Sequence, residues 1–119
     1  PNGTLANGSI VNYSAKELRR VDLTFGVGYE QDILKVKRVL SNIVEAHDLI
    51  LKTPEPFIAL SNHGDSAINF IVKAWCKTED YWTVYYDLLE TVKIKFDEEG
   101  ISIPYPQMDL HVKKNIIID

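Results

Sequence analysis

Between Val21 and Gly100 the spacing of apolar residues switches between two and three-to-four, and the order of those switches restricts the fold. Val21, Leu23, Phe25 and Val27 alternate with Asp22, Thr24, Gly26 and Gly28, which is the pattern of a strand with one buried face. Asp32 then stands where a helix cap belongs, and Ile33, Val36, Leu40, Ile43 and Ala46 or His47 recur at three and four. Pro54-Glu55-Pro56 separates that helix from the next element. Phe57–Leu60 reads as a short strand and Asn62-His63-Gly64-Asp65 as a turn. Ala67 to Cys76 reads as a longer strand with Ile68, Phe70, Val72 and Ala74 on one face and Ile71 and Trp75 on the other. Thr78, Glu79 or Asp80 can cap a second helix with a stripe of Tyr81, Tyr85, Leu88, Val92 and Phe96, thickened by Trp82 and Leu89. Gly100 ends it as a left-handed cap. Strand, helix, strand, strand, helix is the split β-α-β order of an α+β, ferredoxin-like domain, with its helices on one face of the sheet.

The flanks behave differently. In residues 1–14, Asn2-Gly3-Thr4, Asn7-Gly8-Ser9 and Asn12-Tyr13-Ser14 recur every five residues, with Leu5-Ala6 and Ile10-Val11 between them. Asn-Gly tolerates positive φ, so this unit reads as two short strands with turns, and its glycosylation sequons follow from turn composition. Residues 15–20 read as a charged linker. At the other end Pro104-Tyr105-Pro106 forces the chain out of regular hydrogen bonding. Met108, Leu110 and Val112 then alternate with Asp109, His111 and Lys113, a strand that leaves the domain's own sheet. An isolated strand needs partners for its backbone groups, and copies of the same strand from other chains would supply them. This predicts a homo-oligomer.

Composition removes several classes. The chain has 119 residues, 45% hydrophobic and 25% charged, which is ordinary for one globular domain with a short appendage. A single cysteine excludes an internal disulfide scaffold and a multi-cysteine zinc site. The net charge of −4 lacks the basic surplus of a nucleic-acid binder. No run approaches the roughly 20 apolar residues of a bilayer span, and the opening Pro1-Asn2-Gly3-Thr4 carries neither a signal peptide nor an initiator methionine. We read the sequence as a piece of something longer, or as a processed product.

Candidate chemistry is sparse. Gly26-Val27-Gly28 lies between strand and helix, but the third glycine of a dinucleotide fingerprint is missing, and Glu30 and Asp32 would repel a phosphate. His47, His63 and His111 form no metal-ligand spacing, so no metal or other cofactor is expected. Cys76 ends a strand without an activating base, and no serine sits in a nucleophile elbow. Glu79 to Asp109 holds eight acids and two bases, a net of −6, which reads as a solvated acidic stripe around the second helix. Tyr81, Trp82 and Tyr85 share the apolar face and read as core or subunit contact; Tyr86 reads as exposed and available to an interface.

Several of these segments carry a family resemblance. Gly100-Ile101-Ser102-Ile103-Pro104-Tyr105-Pro106-Gln107-Met108-Asp109 is the most specific. Pro1-Asn2-Gly3, Ile10-Val11-Asn12-Tyr13-Ser14, Arg19-Arg20, Gly26-Val27-Gly28-Tyr29 with Asp32-Ile33, Ser66-Ala67-Ile68-Asn69-Phe70 with Trp75, and Asp87-Leu88-Leu89 support it. From Pro1 to about Val112 the chain resembles the cytoplasmic C-terminal region of the small-conductance mechanosensitive channel (MscS) family. The resemblance implies a non-enzymatic vestibule domain of a homoheptameric channel in the bacterial inner membrane, this region itself being cytoplasmic and soluble. The full-length channel would release ions and small osmolytes on hypo-osmotic shock. The vestibule would assemble subunits, filter solutes and modulate gating.

The resemblance also implies an organisation. Residues 1–17 would be the end of an upper β domain and a linker, with the turn Pro1, Asn2 and Gly3 close below the pore. Residues 18–106 would be the α/β domain. Residues 107–119 would carry the strand, with Met108, Asp109, Leu110, His111 and Val112 joining subunits in a parallel β-barrel. By position, Arg19, Arg20 and Asp22 would line or flank the side portals. The alternative from another class is a ferredoxin-like small-ligand regulatory module. An acylphosphatase-like hydrolase would need an arginine in the loop after the first strand, and Gly26-Val27-Gly28-Tyr29-Glu30 has none.

Overall fold

The structure is a computed structural model, and it describes residues 17–104. The predicted turn unit at 1–14, with Pro1, Asn2 and Gly3, and the predicted strand at Met108, Asp109, Leu110, His111 and Val112 lie outside the described residues.

Three strands form one antiparallel sheet: β1 (Leu18–Val27), β2 (Phe57–His63) and β3 (Ile68–Lys77), in the order β1-β3-β2. Helix α1 (Ile33–Ala46) joins β1 to β2 across β3, and helix α2 (Tyr81–Glu98) follows β3 through a short 3-10 turn at Thr78–Asp80. The element order and α+β class match the sequence reading. No further strand is present among the described residues.

The register explains which face is buried. Val21 pairs with Ala74, Leu23 with Val72, Phe25 with Phe70 and Val27 with Ile68. On the other edge Ile58 pairs with Val72 and Leu60 with Phe70. Because side chains alternate across a strand, all of these point to one face. Both helices cover that face. Val36, Val39, Leu40, Ile43 and Val44 come from α1, and Val84, Leu88, Val92 and Phe96 from α2. Burial of each large apolar side chain contributes about 1.5–3 kcal/mol before conformational entropy is set against it.

Two boundaries differ from expectation. The supposed linker Leu18-Arg19-Arg20 is already β1, because β3 is long enough to pair those residues with Lys77, Cys76 and Trp75. β2 likewise runs on to His63, past an irregularity between Leu60 and Asn62. Two stripes also turn. In α1 the buried set is centred on Val36, Val39, Leu40, Ile43 and Val44, while Ile33 is exposed. In α2 the core row is Val84, Leu88, Val92 and Phe96, at strict four-residue spacing, and Tyr81 and Tyr85 lie half-buried beside it. Trp82 and Leu89 are exposed rather than part of the core.

The helix ends are built as the sequence suggests. The Asp32 carboxylate accepts from the backbone N–H groups of Leu34 at 2.9 Å and Lys35 at 3.3 Å, two of the donors that a helix start leaves unpaired. Gly100 closes α2 at φ +74°, a conformation that strains any residue with a side chain. The Ile101 N–H donates to Phe96 O at 2.8 Å and the Gly100 N–H to Asp97 O at 3.3 Å. This is a Schellman motif, with Ile101 packed into the core beside Phe96.

Candidate functional site

The residues that could interact with a partner fall on surfaces, not in an enclosed site. Arg20 and Asp22 project from the sheet face that neither helix covers. There the Arg20 guanidinium donates to both oxygens of Asp22, Nε at 2.8 Å and Nη2 at 3.1 Å. This fork is charge-assisted, but both side chains are well exposed, so its contribution to stability is small. The same guanidinium lies 5.8 Å from the Trp75 ring centroid. Lys73 stands 5.8 Å from the Phe57 ring on the same face. Ile71 and Trp75 are half-buried there, with no element of the described chain above them.

Arg19 points the other way. Its guanidinium carbon sits 3.7 Å from the Tyr81 ring centroid, a cation–π contact worth about 0.5–1 kcal/mol at an exposed site. The structure therefore brings Arg20 and Asp22 together and sends Arg19 to the opposite face, at the start of α2.

Arg19 there adjoins a cluster of four aromatic rings. Tyr81 and Trp82 are 4.8 Å apart, Trp82 and Tyr85 5.3 Å, Tyr85 and Tyr86 5.2 Å, and Trp82 and Tyr86 5.7 Å. Trp82 is 55% exposed and Tyr86 60%. Two large rings stacked on each other and left in water form an apolar patch of the kind that marks an interaction surface. Tyr86 meets its sequence expectation. Trp82 loses the core half of its expectation, core or subunit contact, because counting aromatic bulk places it in the core, whereas the Val84–Phe96 spacing already points the core row elsewhere.

The loop after β1 is not a phosphate site. A Cβ on Gly28 would come within 2.5 Å of the Glu30 carboxylate, so the space beside this glycine is taken by that carboxylate, not left open for a ligand's phosphate. Its own backbone hydrogen bond, then the Ser102 hydroxyl and the Gln31 amide, hold the Glu30 carboxyl below its usual range. Gly26 likewise faces Asn69 and Ala67 at close range.

The remaining candidates are structural. His47 caps α1 as expected. The Leu49 N–H donates to its Nδ1 at 3.1 Å, so Nε2 carries the hydrogen and reaches Asp87 Oδ2 at 2.9 Å. This contact between the two helices had no spacing signal. His63 lies edge-on to Tyr29 at 6.4 Å, and the Tyr29 hydroxyl donates to Gly64 O. Cys76 is buried; burial, and secondarily Asp80, push its thiol up against a weaker opposite pull from Arg19. No group of three or more His, Cys, Asp or Glu residues is arranged to hold a metal among the described residues. Two open clefts, of about 690 Å³ between α1 and the 50–58 segment and about 400 Å³ between the helices, show no convergent set of buried polar groups.

Residues 21–103 match the family described as mechanosensitive ion channel MscS, C-terminal. The chain belongs to the MscS family. It is 43% identical over 112 residues to a small-conductance mechanosensitive channel of Edwardsiella ictaluri, covering 94% of this chain and 39% of that protein. It is 44% identical over 112 residues to an MscS family protein of Synechocystis, with coverage of 94% and 38%. The crystal structure of Helicobacter pylori MscS in its closed state superimposes with a TM-score of 0.73 at 32% identity, over 78% of this chain and 37% of that one. The chain thus spans about two-fifths of the length of these relatives. The named MscS relatives are channels, not enzymes, in agreement with the sequence reading of a non-enzymatic chain. No helix among the described residues is long and apolar enough to cross a membrane.

Proposed function

We propose that this chain is the cytoplasmic vestibule region of a mechanosensitive channel of the bacterial inner membrane. Tension would open a pore built by the channel's membrane part, releasing ions and small osmolytes on hypo-osmotic shock. The vestibule would hold the subunits together, filter what reaches the pore and modulate gating. The observation that carries this reading is that the family match spans nearly all of the α+β domain, with the same fold in a solved channel. In this reading residues 1–17 end an upper β domain and residues 18–106 form a ferredoxin-like domain. Residues 107–119 give a strand to an intersubunit barrel, and seven copies form the ring.

The mass of the chain by light scattering across a dilution series tests assembly. A closed ring is expected, and truncation after Gln107 should weaken it. A persistent monomer would remove the barrel from the proposal and leave the drive for assembly to the membrane part.

Arg19, Arg20 and Asp22 are proposed portal residues. They lie at the start of β1, next to the junction with the preceding segment, and two of the three project from the uncovered sheet face. Reversing the charge of both arginines in a full-length channel is expected to shift the reversal potential measured in asymmetric salt. Unchanged ion preference would exclude them from the conduction path.

A further inference from the structure

The segment Ile101–Pro104, through which the chain leaves the domain, is held by more than the end of α2. Among the described residues, its polar bonds outside its own helix go to the stretch between β1 and the first turn of α1. The Gly28 N–H donates to Ser102 O at 3.1 Å. The Ser102 hydroxyl donates to Glu30 Oε2 at 3.0 Å, and the Gln31 side-chain amide donates to Ser102 Oγ at 3.3 Å and to Glu30 Oε2 at 3.1 Å. One turn further on, Lys35 Nζ donates to Glu99 O at 2.8 Å, at the open end of α2. Residues 28–35 therefore grip residues 99–102 at three successive points, across more than 60 positions of sequence.

We propose that residues 28–35 form a clasp that fixes the direction in which the chain leaves the α+β domain, with Ser102 as its bolt. The clasp is separate from the Schellman turn. Ile101 belongs to the core by apolar burial, and its N–H is spent on Phe96. Ser102, by contrast, is exposed and holds its place only through polar partners. The two neighbours are thus anchored by different physics, and the outer anchor can open while the inner one stays shut. A load applied beyond Pro104 is divided at Ser102 between the Gly28 hydrogen bond at the end of β1 and the chain that runs back to α2. Gly28 serves this arrangement directly, because any side chain there would displace the Glu30 carboxylate that accepts from Ser102.

Amide hydrogen exchange on the full chain separates the two anchors. In Ser102→Ala the Gly28 amide should exchange roughly three- to tenfold faster, the loss expected for two exposed side-chain hydrogen bonds. The Ile101 amide should be unchanged, and Ser102→Thr, which keeps the hydroxyl, should restore the Gly28 rate. Glu30→Gln should give an intermediate effect. Unchanged Gly28 protection in both Ser102→Ala and Glu30→Gln would overturn the clasp. So would equal acceleration at Ile101, which would mean that the helix end and the exit segment open as one unit. Neither result depends on the channel reading, since both are read on the domain itself.

Discussion

Phe96→Ala should cost about 3–5 kcal/mol of folding stability, the range of large-to-small aromatic truncations in a close-packed core. Phe96 has no exposed surface and meets the Phe25 ring edge-on at a centroid distance of 6.4 Å. It is also the residue whose carbonyl receives the Ile101 N–H, so the truncation empties space under the turn that closes α2. A domain of this size is stabilised by only about 5–15 kcal/mol in total, so one such loss removes a large share of it. Urea titration followed by far-UV circular dichroism reads the effect as a fall in midpoint at unchanged slope. A loss below about 1 kcal/mol would mean that the site collapses around the missing ring and that Phe96 is not the keystone its burial indicates. The conservative Phe96→Leu keeps most of the volume and should lose far less.

The elements and their order were legible because each apolar period is long enough to be unambiguous. Val21 to Val27 can only alternate, and the Asp32 cap and the Gly100 stop carry their mechanisms in the residue type. Rotation and length were not legible. The true row of α2 runs through Val84, a small residue flanked by larger aromatics, so weighting by bulk turns the helix toward Trp82. Strand β1 begins at Leu18 only because β3 is there to pair with it, and pairing partners are not visible in a local pattern. The same holds for the exposed groups that matter most. Arg20 with Asp22 is a spacing of two, but with Arg20 read as linker their shared strand face was not visible either. Arg19 on Tyr81, His47 with Asp87 and Glu30 with Ser102 join residues dozens of positions apart and appear only when the chain is folded.

Replacing Trp82 and Tyr86 together by alanine is expected to separate folding from assembly. Both rings are more than half exposed, and the row beneath them is complete without them: Val84, Leu88, Val92 and Phe96 fill the contact between α2 and the sheet. The double variant should therefore stay folded, its denaturation midpoint falling by no more than the lost ring–ring contacts with Tyr81 and Tyr85, about 0.5–1.5 kcal/mol each. In an assembled protein the same two side chains are the type that dominates an interface, where a buried aromatic anchor contributes about 2 kcal/mol or more. Each loss on that scale weakens a contact between copies roughly thirtyfold. Light scattering at matched concentration should then show the mass moving toward the monomer, and Leu34→Ala, which trims another exposed apolar side chain on the other helix, should leave it unchanged. If the double variant assembles like the parent while remaining folded, the aromatic patch is not a contact between copies. If Leu34→Ala dissociates the assembly instead, the contact lies on α1, and the four-ring cluster serves only to hold Arg19 and the first turn of α2 against the end of β1.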